Sequence, residues 1–510
     1  MRLPGIVGNG AILQRNVWNV IPGTDESATE VTLCVGGQEY SAPVADGHFS
    51  INIPPQMAAT GLTVTIRGSE TIVLNNICFG DVYLLSGQSN MELPLERVKD
   101  VSGEEIAASN DPYIRQYRLI PEYVFEDGVV PDLPKTPWIR AVPGEIDEIS
   151  AAGFFFAKRI REEIGVPIGL VLNAQGGSSV EAWMSLELLD RFGDFRTPLK
   201  PFIQKGALEE YLRERERRIL DWYDSVRSED DQRFVSGIPD DALPIDLPAL
   251  FPVDPGERFS GSVWFYREFY LEKKPGDNAF LYLGEMIDSD TTYINGTLVG
   301  TTGYRYPPRK YPFDGSLLRE GRNLTATRLV IQYGRGGFLP EHPYYIESGT
   351  ERVELSGSWM YAIEKPAVRD GVEGFLAQKL PSGLFRAALL PLKDFSMKGI
   401  LWYQGESNAG EPERYDEKFA AMIREWRECL NAELPVICVE MADYIDPING
   451  SDEGWARIQQ MQREAPNRVE NCAVASAKDL GAPFELHPQY KSELGKRMAE
   501  EALRLIYKVR

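Results

Sequence analysis

Three short segments carry the residue types from which an acyl transfer can be assembled. Ser86-Gly87-Gln88-Ser89-Asn90-Met91, Asn173-Ala174-Gln175-Gly176-Gly177-Ser178-Ser179 and Gln404-Gly405-Glu406-Ser407-Asn408 each end an apolar run with a turn rich in Gly, Ser and Asn. Ester cleavage needs a nucleophile, a base and donors for the oxyanion that develops. Ser89 is the candidate nucleophile, because it comes directly after the first apolar run. Its own N–H, the N–H of Gly177 and the side-chain amide of Asn408 are the candidate oxyanion donors. Glycine at such turns lets backbone N–H groups approach a cleft unobstructed. A serine hydroxyl needs a base, and the chain has three histidines. His48 lies in the hairpin turn Asp46-Gly47-His48-Phe49, and His342 lies in the Pro-bounded loop Pro340-Glu341-His342-Pro343. His487, in Phe484-Glu485-Leu486-His487-Pro488, precedes the last helical stretch and alone shares the texture around Ser89. It is the expected base. Gln88, Gln404 and Glu406 on these turns, with Trp183 beside the second, are candidate substrate contacts. The Gly-x-Ser-x-Gly elbow of another hydrolase fold is absent.

The elements that must position these turns follow from the hydrophobic pattern. Residues 1–80 alternate apolar and polar residues in short runs such as Glu30–Val35 and Leu62–Ile66, with turns at Gly36-Gly37 and Asp46-Gly47, and read as a small N-terminal β-sandwich. From Asp81 the texture becomes α/β. Asp81–Leu85, Ile168–Leu172, Ile400–Tyr403 and Pro435–Val439 are apolar runs suited to strands covered on both faces, and 151–163, 420–429 and 491–508 read as helices. Residues 208–232 are helical and highly charged. A β module, 251–362, interrupts this pattern, so the α/β domain is expected as two segments, 81–250 and 363–510. In an open α/β sheet the loops leaving the carboxyl ends of the strands line the ligand crevice, so all three turns are expected at one edge.

Composition narrows the classes. The 510 residues exceed one compact core. A formal charge of −22 repels phosphate backbones and anionic membranes, which argues against nucleic acid or membrane partners. It leaves a neutral sugar unaffected, whereas an anionic sugar requires a local cluster of Arg or Lys. The five cysteines are scattered without CxxC spacing, and three histidines are few for a zinc site. The opening residues lack a signal-length apolar stretch. The expected location is the cytoplasm if the sequence is complete, and the periplasm or exterior if a leader has been removed. Oligomeric state is not legible.

Four ordered blocks resemble the sialate O-acetylesterase-like family of SGNH hydrolases. They are Gly87-Gln88-Ser89-Asn90-Met91, Gly176-Gly177-Ser178 with Glu181-Ala182-Trp183, Trp402 to Asn408, and His487-Pro488. Leu13-Gln14-Arg15 is similar to that family's N-terminal β-domain, and 287–296 (IDSDTTYING) to its inserted jelly-roll. The resemblance implies an SGNH-type, flavodoxin-like parallel sheet with helices on both faces. It also implies hydrolysis of sugar acetyl esters without metal or organic cofactor, with Ser89, Gly177, Asn408 and His487 in the roles given above. Acetylated xylan is an alternative substrate, and a non-catalytic glycan-binding protein is an alternative of another class. The chain departs from the family pattern at Gln175, Ser178 and Arg386, the last read as a surface residue in preference to a carboxylate-binding cation. Many members carry Asp two residues before the catalytic His, where this chain has Glu485. The acid that orients His487 is therefore Glu485, its rival Asp479, or absent. With an ordinary histidine as base, activity is expected to decline below about pH 6.5.

Overall fold

The computed structural model describes residues 1–509 apart from 126–129, 228–231, 236, 252–257, 333, 368–374, 448–449 and 451–452. The three turns belong to one sheet. Its strands are β1 (Thr71–Gly87), β2 (Asp111–Arg118), β3 (Trp138–Ala141), β4 (Ile168–Ala174), β5 (Gly399–Tyr403), β6 (Val436–Glu440) and β7 (Cys472–Ser476). They lie in the order β7-β6-β5-β1-β4-β2-β3. All neighbours are parallel except β3, which pairs antiparallel with β2 at the edge. Every residue of β4, β5 and β6 is buried, which is why these strands read as unbroken apolar runs.

Helices cover both faces, as the two residues ending β5 show. Neighbouring residues of a strand point to opposite faces. Trp402 packs on Phe419 and Trp426 of helix α3 (Tyr415–Cys429), whereas the Tyr403 ring faces Lys491, which opens helix α5 (Lys491–Ala502). The other helices used below are α1 (Ser89–Glu92), α2 (Ala151–Ile164) and α4 (Glu453–Arg463). The final helix is shorter than expected, continuing after Ala502 as a π-helical turn to Tyr507. The charged helix before the module spans Ala207–Ser225; the 228–231 part of that expectation lies outside the described residues.

α2 and α5 meet at a glycine. A Cβ on Gly495 would lie 2.5 Å from Phe155 Cβ and 2.7 Å from the Phe156 backbone nitrogen. Gly495→Ala raises intrinsic helix propensity by roughly 1 kcal/mol. A clash against backbone that cannot swing away outweighs that gain and costs about 1–3 kcal/mol net. A thermal melt should show a loss of several degrees; a raised midpoint would mean the helices separate freely.

The expected boundary at residue 80 falls inside a strand. β1 runs unbroken for 17 residues. Its first half pairs with Ala59–Arg67 and its middle with Ile12–Gln14, while its second half enters the parallel sheet. The junction is pinned by Asp81, fully buried. It accepts from Gln14, Arg15 and, at 2.8 Å, the Tyr507 hydroxyl. Burial pushes the Asp81 carboxyl up, but hydrogen bonds from Arg15 and Tyr507 outweigh it and hold it below the usual range.

The inserted module consists chiefly of a six-stranded and a four-stranded antiparallel sheet. Its own core includes Val263, Phe265, Leu281, Leu329, Ile346 and Trp359. Its first strand, Leu243–Leu247, begins before the expected start at 251 and pairs with Gly357–Pro366. That strand is short, largely exposed and carries Pro244, which an edge strand tolerates. No helix among the described residues is long and apolar enough to cross a membrane.

Candidate active site

The three turns start level with one another. Gly87, the last residue of β1, pairs with Ala174 at the end of β4 and with Tyr403 at the end of β5. Gly87 has φ +125°, and a Cβ there would lie 2.0 Å from the Tyr403 carbonyl oxygen, so glycine is required for the strands to close. The Gln88 N–H donates to that same carbonyl at 2.9 Å. The chain then turns into α1, with Ser89 as its first residue. A Cβ on Gly176 would come 3.5 Å from Ser89 Cβ, which places the glycine turn beside the serine.

Ser89 and His487, 398 residues apart, meet: Nε2 of the imidazole is 2.8 Å from Ser89 Oγ. The two remaining histidines lie elsewhere. His48 is exposed on its hairpin, and His342 contacts the Tyr282 hydroxyl at 3.2 Å and Glu285 at 3.5 Å inside the module. The Ser89 and Gly177 N–H groups donate to no protein acceptor among the described residues, as expected at a first helical turn and a left-handed glycine. Asn408 sits just behind them. Its carboxamide oxygen accepts from Val180 N–H at 2.9 Å and Gln404 Nε2 at 2.7 Å, and its nitrogen donates to Glu181 at 3.0 Å. One amide hydrogen remains. Glu181 is held in turn by Lys418 at 2.6 Å. Burial pushes the Glu181 carboxyl up, but Lys418 and Asn408 outweigh it and hold it below the usual range.

The carboxylate expected beside His487 is not brought there. Glu485 makes no hydrogen bond to His487 among the described residues. Its side chain is buried, which raises its carboxyl, and it is influenced by His342, Lys491 and Glu285. Asp479 is bound at the surface by Arg497 at 2.6 Å. The loop itself is held by other means. Asn90, next to Ser89, donates at 3.0 Å to the carbonyl of Leu486 and at 2.7 Å to Glu406, and accepts at 2.7 Å from the buried ammonium of Lys491. Burial lowers Lys491 to about 8, against the pull of Glu485 and Glu406. From the module, the Tyr306 ring stands edge-on to the imidazole, with centroids 4.8 Å apart.

Burial, joined by the positive charges of Lys491, Arg97 and Arg305, pushes the His487 imidazole down to about 3. The expected decline below pH 6.5 is therefore corrected, since that value belongs to an imidazole in water. A base works only when neutral, so kcat/KM for ester hydrolysis should stay level from pH 7 to pH 5; halving near pH 6.5 would show an unshifted histidine. The same shift costs stability in acid. A folded value below the unfolded one gives stability that is fully present above about 6.5 and is lost as pH falls toward 3.

The candidate substrate contacts divide. Gln88 and Glu406 line a cleft of about 1280 Å³ that opens over Ser89 and His487. Gln88 Oε1 accepts from Gly405 and Ser407 N–H at 3.3 and 3.2 Å, so it also ties two turns together. Burial raises the Glu406 carboxyl despite the bond from Asn90. Gln404 and Trp183 differ from the expectation: both are fully buried away from the cleft lining. Gln404 is spent on Ser178, Asn408 and Tyr415. Trp183 packs edge-on against Trp402 and donates at 3.0 Å to Ser178 Oγ, which itself bonds the Gly87 carbonyl. Arg386 is half-buried on a π-helical turn and does not line the cleft. Sequence reasoning missed Asn90, Lys491, Glu92, Arg97 and the module's Arg305 and Tyr306. A charged residue four places after His487, opening a helix, was the one available signal, for Lys491.

A parallel sheet with polar loops gathered at its carboxyl edge, serine against histidine, is a hydrolase-type α/β architecture. The model of the family described as "Carbohydrate esterase, sialic acid-specific acetylesterase" matches residues 79–196 and 382–504, the two segments of the α/β domain. Over 215 residues the chain is 26% identical to the sialate O-acetylesterase of Mus musculus, covering 38% of this chain and 39% of that protein. Over 123 residues it is 29% identical to the Homo sapiens sialate O-acetylesterase, covering 22% and 23%. The chain thus matches about two fifths or less of these relatives' length. A crystal structure of a carbohydrate acetylesterase from Xanthomonas citri aligns over 100% of this chain and 76% of its own, with a TM-score of 0.60 at 20% identity, a likeness of fold. Over these two segments the chain is similar to the sialic acid-specific carbohydrate acetylesterase family.

Proposed function

We propose that the protein is a serine esterase that removes O-acetyl groups from carbohydrate, with O-acetylated sialic acid as its substrate. The observation that carries this reading is the 2.8 Å contact between His487 Nε2 and Ser89 Oγ at the floor of the cleft. Ser89 attacks the acetyl carbonyl while His487 takes its proton. The N–H groups of Ser89 and Gly177 and the free amide hydrogen of Asn408 hold the oxyanion. His487 returns the proton to the departing sugar oxygen, then activates the water that hydrolyses the acetyl-serine. The pair works as a dyad, with Asn90 and Tyr306 fixing the imidazole in the place of a carboxylate. No step calls on a cofactor.

The cleft lining holds as many acids (Glu92, Asp288, Glu406, Asp446 and Glu453) as bases (Arg97, Arg118, Arg215, Arg305 and Lys379), so what favours sialate over xylan is local: Arg97 and Arg305 stand over the Ser89–His487 side with no ion pair to a carboxylate among the described residues. A serine-directed fluorophosphonate should label Ser89. Acetate release should be faster from O-acetylated sialic acid than from acetylated xylo-oligosaccharide. Labelling with the reverse preference would favour a hemicellulose esterase, and no labelling would favour a glycan-binding protein.

A further inference from the structure

The loop that brings Tyr306 to the imidazole also brings a charge. Residues 305–307 are fixed from inside the module by Arg309, itself fully buried. Arg309 donates to the carbonyls of Arg305 at 3.0 Å, Pro307 at 2.7 Å and Asp288 at 2.6 Å, and pairs with the buried Asp290 at 2.8 Å. Arg305 leans over the Tyr306 ring, 5.0 Å from its centroid, and lines the cleft. From the α/β domain, Arg97 reaches across and donates to the Tyr306 carbonyl at 3.1 Å and to the Tyr304 hydroxyl at 3.4 Å. Both guanidinium groups are half-buried. Neither is in an ion pair with a carboxylate among the described residues, although Asp288 supports the charge of Arg305 through space. Two other cations near the site are engaged: Arg118 pairs with Glu92 at 2.6 Å, and Lys491 is buried on Asn90. Both line the same cleft as Ser89 and His487, and both touch Tyr306, whose ring lies 4.8 Å from the imidazole, centroid to centroid. Glu406, the acid nearest in sequence to the third turn's Asn408, is disfavoured as an anion by burial.

We propose that Arg97 and Arg305, one from each domain, form a subsite for a carboxylate carried by the substrate itself, beside the Ser89–His487 pair. The inference rests on the esterase reading and adds to it which groups select an anionic sugar. The planar fork of a guanidinium matches a carboxylate bidentately, and half-burial strengthens the contact. A carboxylate seated there also places the acetyl ester of the same sugar ring within the cleft.

The test compares kcat/KM on O-acetylated sialic acid with that on its carboxyl methyl ester, and follows inhibition by free sialic acid and by its methyl ester. The wild-type protein should prefer the free acid by 10-fold or more in both assays. Arg97→Met and Arg305→Met should each reduce that preference, and the double variant should abolish it, the change residing in KM and in the inhibition constant. Arg97→Lys should keep part of it. A wild-type protein indifferent to esterification, or a double variant that keeps the full preference, would overturn the subsite. Failure of Ser89-dependent hydrolysis of a neutral chromogenic acetate would instead overturn the esterase reading beneath it.

Discussion

Ser89→Ala should lower acetate release by about 10⁴–10⁶-fold, His487→Ala by a similar factor, and the double variant no further. The hydroxyl and the imidazole, 2.8 Å apart, act as one unit, so either loss disables the proton transfer entirely. What survives is binding and oxyanion stabilisation without a nucleophile. Ser89 Oγ has His487 as its partner and little else to support, so the melting temperature of Ser89→Ala should stay within a few degrees of wild type. Single-turnover assays with a chromogenic acetate, together with melts, decide the matter. Losses that multiply in the double variant would mean that the two groups act independently.

Asn408→Ala should lower kcat by about 10²–10³-fold with KM little changed, because its remaining amide hydrogen is used only as the oxyanion forms. A second effect follows from its surroundings. Asn408 satisfies the Val180 N–H and one Glu181 oxygen inside the domain. Leaving them unpaired costs about 1–3 kcal/mol each, so this variant, unlike Ser89→Ala, should also melt several degrees lower. An intact kcat with a lowered melting point would make Asn408 a brace for Glu181 and nothing more.

That the three turns and His487 would gather at one rim was legible because the constraints on them are local. Each turn follows an apolar strand, glycine stands where a Cβ would strike a neighbouring carbonyl, and with only three histidines in the chain elimination pointed to His487. Side-chain direction was not legible. Trp183 next to a catalytic turn looks like a stacking platform, yet its ring closes a cluster with Trp402 and Trp426 beneath the sheet. Glu485, two places from His487, looks like its orienting acid, yet among the described residues it makes no hydrogen bond to the imidazole, and its buried carboxyl feels the charges of His342, Lys491 and Glu285. Both outcomes depend on which neighbour fills the space around the loop, and that neighbour is distant in sequence. The return of the module onto the site, through Arg305 and Tyr306, is hidden for the same reason. A texture change marks where a domain is inserted and carries no record of which face it lays against its host.

The 17-residue strand β1 has a mechanical consequence. It serves two lobes as one continuous beam, with its hydrogen-bond ladders overlapping across the junction, so the amino-terminal lobe has no hinge about which to swing. Bending there would rupture a run of backbone pairings and expose Asp81. The 303–309 loop, by contrast, meets the rim through a ring edge and two guanidinium contacts, with no shared strand to hold it there.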